Sequence, residues 1–294
     1  MTTFSSLLVP LDGSPMAARS LECAAWLAQR LEARLHVLTA IDGERPPRDE
    51  LRRLRVSERH WPHIEIHQTS DPPETAIIEA AARYDVRLVV MSARGESFER
   101  TEHRDAEQVV GHVARSIIEQ CPVPVLLTPP RYREVLPWER LIVPVSGAWA
   151  CEDALALAAG LACDLDVAVK VVHVANPSAT DEGLDLRARY SDALHHEYPG
   201  QLDELVMRAL PLLPVKERHR IQSVYLRSGD VLDRLLEIVK GDRNSAVVVG
   251  WQGTLSSGRA GLLKGLIGGV ASPLLLVRRL ARRLSQLNTG EEFE

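Results

Sequence analysis

The sequence predicts an α/β fold built twice over, with parallel sheets wrapped by helices on both faces in two tandem copies. Three observations carry this. Short β-branched runs alternate with helical patterns, the stretches between them are long enough for crossover helices, and four runs recur in the same order in the second half. Ser6-Leu-Leu-Val-Pro-Leu-Asp-Gly-Ser14 returns as Arg140-Leu-Ile-Val-Pro-Val-Ser-Gly-Ala148. At the same shift, Leu35-His-Val-Leu-Thr-Ala-Ile41 meets Val169-Lys-Val-Val-His-Val-Ala175. Leu88-Val-Val-Met-Ser-Ala-Arg-Gly95 then meets Ala246-Val-Val-Val-Gly-Trp-Gln-Gly253, and Pro122-Val-Pro-Val-Leu-Leu127 meets Ser272-Pro-Leu-Leu-Leu-Val277. The shift grows between the second and third matches, which locates an insertion at about 178–213 of the second copy. The copies are expected at 1–130 and 138–280, with a basic and polar tail at 281–294. Between them runs Pro129-Pro-Arg-Tyr-Arg-Glu-Val-Leu-Pro137, whose prolines resist helix and sheet alike.

Each element of the first copy has its own signal. The near-continuous apolar run Leu7–Leu11 reads as a strand covered on both faces. Ser14 and Pro15 supply an N-cap and a first helical proline, followed by Leu21, Ala24, Ala25, Ala28 and Leu31 on one helical face. Arg34–Ile41 is a second strand and Ile64–His67 a third. Asp71-Pro-Pro-Glu74 opens a helix carrying Ile77, Ile78 and Ala81. Leu88–Met91 is a fourth strand, Gln108–Glu119 a helix, and Val123–Thr128 a fifth strand.

Composition narrows the class. Of 294 residues, 45% are hydrophobic and 26% charged, as in an ordinary globular chain, and the length suits two domains at ~150 residues each. A net charge of −5 supplies no positive field for nucleic acid or anionic lipid, so neither is expected as a partner. Cys23, Cys121, Cys151 and Cys163 show no disulfide or metal spacing, and the first residues lack a secretory layout. The longest apolar stretch, Gly265–Val277, is broken by Ser272 and Pro273 and falls short of the ~20 residues that span a bilayer. The expectation is a reduced, cytoplasmic, soluble protein.

In a doubly wound sheet, ligands sit beyond the carboxyl ends of the strands where the winding reverses, which directs attention to the loops after strands one and four. After strand one comes Asp12-Gly13-Ser14. Its carboxylate can accept from a base amine or ribose hydroxyl, or simply form an Asx turn. After strand four come Ser92-Ala-Arg-Gly95 and then Gly111-His112-Val113 opening a helix; the second copy has Gly250-Trp-Gln-Gly253 and a run through Ser257 and Gly258 to Gly261. Glycines before a helix N-terminus let backbone amides approach an anion.

Together, Leu8-Val-Pro-Leu-Asp-Gly-Ser14, the loop after strand four, Gly111-His-Val-Ala114 and Cys121-Pro-Val-Pro-Val-Leu-Leu127 resemble the universal stress protein family. The resemblance covers nearly the whole chain, twice. It implies a five-stranded parallel sheet of order 3-2-1-4-5 in each copy, with the copies paired through their fifth strands as a pseudo-dimer. It further implies cytoplasmic stress-responsive regulation rather than catalysis. Many members look like ATP binders, with Asp after strand one and a G-x2-G-x9-G-[ST] signature after strand four; others lack the signature.

Carried onto this chain, the resemblance assigns the adenosine end to Pro10, Leu11, Asp12, Ala40, Met91 and Ser92, and the phosphate end to Gly95, Gly111, His112 and Val113. In the second copy the matching positions are Gly250, Gly253, Ser257 and Gly261. Neither copy carries the full signature. Ser92 replaces the first glycine, fifteen residues separate Gly95 from Gly111, and His112 replaces the hydroxyl residue. The added stretch carries Glu96, Glu99, Glu102, Asp105 and Glu107 against Arg100 and Arg104, and reads as a solvated loop. In the second copy Ser146 stands where Asp12 does, the glycine spacing is short, and Leu262 replaces the hydroxyl residue; Trp251 either stacks on a base or packs.

The remaining signals read as ordinary structure. His60 and His63, and His195-His196, lack partners in a metal spacing and read as surface histidines, so no metal ligand is assigned. Cys121 reads as a buried thiol, and no catalytic triad or elbow motif is present. The insertion places Leu194, Tyr198, Leu202, Leu205 and Val206 at near-helical spacing, as core or as a lid, and Arg278–Leu287 is a basic, partly amphipathic tail. The function expected is therefore a non-catalytic stress-response protein with ATP, and Mg²⁺ with it, as a conformational ligand. Its expected partners are an unidentified protein and a second tandem chain. The alternative is an interaction module whose pockets bind no nucleotide.

Overall fold

The computed structural model describes residues 3–95, 109–133, 136–145, 149–175, 219–251, 254–255 and 260–278. The first half runs β1 (Ser6–Pro10), α1 (Pro15–Leu31), β2 (Arg34–Ala40), α2 (Pro47–Arg53), a 3-10 turn (Glu58–His63), β3 (Ile64–Thr69), α3 (Pro73–Arg83), β4 (Leu88–Ser92), α4 (His112–Gln120) and β5 (Val125–Thr128). The second runs β6 (Arg140–Val145), α5 (Trp149–Leu165), β7 (Ala168–Ala175), β8 (Ile221–Ser228), α6 (Val231–Gly241), β9 (Ser245–Trp251), α7 (Gly261–Gly269) and β10 (Leu274–Arg278). The expected insertion at 178–213, the acidic stretch 96–108, the tail 281–294, Ser146, Gly253 and Ser257 lie outside the described residues.

Local chemistry explains the boundaries. Ser14 caps α1 by accepting the Ala17 amide at 3.2 Å, Pro15 fixes the first turn, and Glu32 ends the helix in a left-handed conformation. Expected strands and helices stand within a few residues of their positions, except that α2 and the 3-10 turn have no counterpart in the sequence reading. That stretch is mostly charged and is anchored through only a few apolar side chains, Leu51, Leu54 and Val56, so its periodicity is weak.

The strands lie in the order β3-β2-β1-β4-β5-β10-β9-β6-β7-β8, parallel within each half. At the junction β5 and β10 run antiparallel, with Leu126 opposite Leu275, Val125 opposite Leu276 and Leu127 opposite Leu274. As the resemblance implies, the halves pair through their fifth strands, and that pairing joins them into one ten-stranded sheet. Each fifth strand would otherwise be an edge with an unpaired row of amides and carbonyls, and pairing the two edges satisfies both.

Side-chain alternation sorts the core onto two faces. Leu7, Val9, Leu126, Leu275 and Val277 pack with α1 and α5 on one face. Leu8, Met91, Leu127, Leu274 and Leu276 pack with α3, α4, α6 and α7 on the other. Both clusters cross the junction, so the two halves share their core. Trp138, from the connecting segment, reinforces this by packing on Trp26 with ring centroids 4.9 Å apart. The apolar stretch Gly265–Val277 is accounted for by α7 and β10, where Gly265 and Gly269 let α7 press against Leu232 and Leu236 of α6. Among the described residues no helix is long and apolar enough to cross a membrane.

Candidate functional site

The connections leaving β1 and β4 wind to opposite sides, and a cleft of about 150 Å³ opens beyond the carboxyl ends of these adjacent strands. Pro10, Leu38, Ala40, Ala76, Ile77 and Met91 give it an apolar floor, while Asp12, Ser92, Gly95, Gly111, His112 and Val113 form the polar rim. Every residue assigned from the resemblance in the first copy therefore lines one cavity, Leu11 included. Pro73, Ala76 and Ile77 were missed at the sequence level. The signal was available, because a helix that starts just after β3 must place its first turn at the same edge of the sheet.

Asp12 is exposed at the cleft, and its carboxylate forms the Asx turn. Its Oδ1 accepts the Ser14 amide at 2.9 Å, an Asx turn made feasible by Gly13 at φ +89°. Its Oδ2 faces Gly95 so closely that a Cβ there would collide with it. Glycine at 95 leaves room for the carboxylate in this position.

Across the rim, Gly111 is the N-cap of α4 and offers no side chain to the first turn. The first helical hydrogen bond runs from the Arg115 amide to the Gly111 carbonyl, at 2.9 Å, which leaves the amides of His112, Val113 and Ala114 without helical acceptors at the cleft. Such a terminus favours an anion through its amides and its dipole. The Gly111 amide itself is already engaged, donating to the Ala93 carbonyl at 2.8 Å. Ser92 likewise turns its hydroxyl onto the Arg94 carbonyl at 2.6 Å, and Arg94 Nε donates to the Val109 carbonyl at 3.2 Å. The Gly111–Ala93 and Arg94–Val109 bonds bring residues 93–94 and 109–111 together. His112 Nδ1 lies 2.8 Å from Glu74 Oε1, with its ring out in solvent.

The second half differs. Gly250 lies near the end of β9, but Trp251 beside it is buried in the core, which assigns it to packing and not to stacking on a base. Gly261 starts α7 in open space behind a left-handed Ala260. The stretch after β9 is tied to the first half instead: Glu119 accepts the Leu255 amide, and Arg115 donates to the Leu255 carbonyl at 2.8 Å.

The other sequence assignments fall as follows. Cys121 is buried, and burial pushes its thiol up, which leaves it inert. His60, expected at the surface, is partly buried, with its Nε2 3.0 Å from Glu22 Oε2, and Arg59 reaches the same carboxylate. Burial raises the Glu22 pKa, but the hydrogen bonds from His60 and Arg59 outweigh it and hold the carboxyl below its usual value of 4.5. A carboxylate depressed in the folded state adds stability above its unfolded pKa and loses it as pH falls through the folded value. Acid should therefore weaken the fold below about pH 4.5. Glu22→Gln should flatten that part of the profile, which urea midpoints collected between neutral and acid pH would measure.

The model of the universal stress protein family matches residues 3–60, 44–129 and 137–276. Among solved structures, a functionally unknown protein of Pseudomonas aeruginosa PAO1 aligns at 13% identity over 94% of this chain and 92% of that one, with a TM-score of 0.64. A universal stress protein from Archaeoglobus fulgidus DSM 4304 aligns at 15% identity over 94% and 98%, with a TM-score of 0.60. These likenesses establish the fold along both halves. No curated protein sequence matches the chain. With the family model matching both halves of a duplicated, doubly wound sheet, the chain belongs to the universal stress protein family.

Proposed function

We propose that this chain is a non-catalytic, cytoplasmic stress-response protein whose first-half cleft binds an adenine nucleotide as a conformational ligand. The observation that carries the reading is the placement of Asp12 and the uncapped α4 N-terminus on either side of Gly95, above an apolar floor. An apolar cavity of about 150 Å³ takes a flat ring of benzene size, so the floor suits a base. The Asp12 carboxylate suits ribose hydroxyls, and the amides of residues 112–114 suit phosphate. A nucleotide bridging these groups would fix Gly95 and Gly111 and so alter the surface around the cleft that is offered to a protein partner. Gly250, Gly253, Ser257 and Gly261 remain candidates for a second, weaker phosphate site, and two tandem chains are expected to associate.

Equilibrium dialysis with ATP and Mg²⁺ tests this. Binding below millimolar concentration is expected, weakened about tenfold or more in Asp12→Ala, because a hydrogen bond to a charged group contributes ~1.5–3 kcal/mol. A wild-type chain that takes up no ATP at millimolar concentration overturns the reading. The second reading, an interaction module without nucleotide, draws on the Gly111 amide and Ser92 hydroxyl already being engaged within the loop. An unchanged melting temperature in saturating ATP would favour it.

A further inference from the structure

On the α3 face of the outer strands lies a side-chain cluster that the cleft does not use. In the parallel register of β2 and β3, His36 stands opposite Glu65 and Leu38 opposite His67, so His36, Glu65 and His67 share one face. His36 Nδ1 is 3.0 Å from His67 Nε2 and 3.4 Å from Glu65 Oε2, and all three ligand atoms lie within 4.8 Å of one another. Tyr84, just past α3, stacks on His67 at 4.0 Å between centroids and on His36 at 5.2 Å, which fixes both ring planes. His36 is 1% exposed and its Nε2 has no hydrogen-bond partner.

We propose that His36, Glu65 and His67 form a binding site for a divalent transition-metal ion of the zinc class, with one coordination position left open. Bonds of about 2.0–2.1 Å in a tetrahedron place ligand atoms roughly 3.3–3.4 Å apart, close to two of the three separations observed. The Glu65 side chain is 60% exposed and free to rotate toward the ion. Two imidazole nitrogens with one carboxylate select zinc-like ions over magnesium or calcium, which prefer oxygen donors. Burial pushes both imidazoles toward the neutral form that ligates metal. The cluster sits by Tyr84, at the opposite end of α3 from the Pro73 and Ala76 that line the cleft, so metal and nucleotide occupy separate sites. Bound there, the ion would clamp the outer strand β3 onto β2.

Calorimetric titration of the chelator-stripped full chain with Zn²⁺, paired with Co²⁺ absorption spectra, tests the assignment. One ion per chain is expected, with tetrahedral Co²⁺ bands and a zinc-dependent rise in melting temperature. Glu65→Gln and His67→Ala should each weaken Zn²⁺ binding about tenfold or more, while ATP uptake stays as in the wild type. Glu65→Gln lies at the surface and serves if His67→Ala does not fold. No Zn²⁺ uptake at tens of micromolar, or both variants binding like the wild type, would overturn the proposal.

Discussion

Leu126→Ala should lower the unfolding free energy by about 2–5 kcal/mol, far more than its place on a four-residue strand would suggest. Leu126 is 1% exposed and lies opposite Leu275, which is 2% exposed, in the antiparallel register that joins the halves. Both side chains belong to the cluster that α1 covers from one half and α5 from the other. Truncation therefore opens a cavity where two cores merge, and neither half can collapse onto it alone. The guanidinium midpoint should fall with little change in slope, and near- and far-ultraviolet circular dichroism should report one shared transition. Leu262→Ala, at a position 43% exposed, should change stability by no more than about 0.5 kcal/mol. Two separate transitions, with only the first half shifted by Leu126→Ala, would contradict a shared core.

How far the fold could be read from sequence follows from where its determinants lie. β1, β4 and the two fifth strands are short apolar runs ended by proline, glycine or a cap, and such local signals survive in the sequence. Duplication doubled that signal. Edge pairing of β5 with β10 joins two strands far apart in the chain, so no local pattern carries it; it entered the reading only through the resemblance to the family. α2 was invisible for a different reason: it is held by burial of Leu51 and Leu54 in the core shared with α1, contacts that only tertiary structure supplies.

The cleft was legible where it is built from strand ends and glycine, since topology alone sends Asp12, Ser92, Gly95 and Gly111 to one crevice. What the sequence could not show is how the polar groups are spent. Ser92 replaces a glycine, yet its hydroxyl is turned away onto the Arg94 carbonyl, and the Gly111 amide closes the loop on Ala93. The His36–Glu65–His67 cluster escaped because its members are scattered in sequence. The clue was the alternation of Glu65 and His67 on one strand face, which needs the β2–β3 register before it acquires meaning.

Gly95→Ala should reduce ATP affinity by about ten- to a hundredfold, since forcing a group into a filled space costs ~1–3 kcal/mol. The added Cβ would overlap Asp12 Oδ2, and the carboxylate can swing aside only by giving up the Ser14 amide that its Oδ1 accepts. Either the Asx turn opens or the Gly95 backbone retreats from the cleft, and each outcome changes the gap between Asp12 and the α4 N-terminus. Because the clash needs both partners, the double variant Asp12→Ala with Gly95→Ala should bind ATP better than Gly95→Ala alone and close to the level of Asp12→Ala. Global stability should change little, as Gly95 lies in a loop and is only half-buried. Dialysis of the four proteins side by side checks the cycle. Additive losses would mean that Gly95 acts through some contact other than Asp12, and wild-type affinity in Gly95→Ala would remove the nucleotide from this cleft.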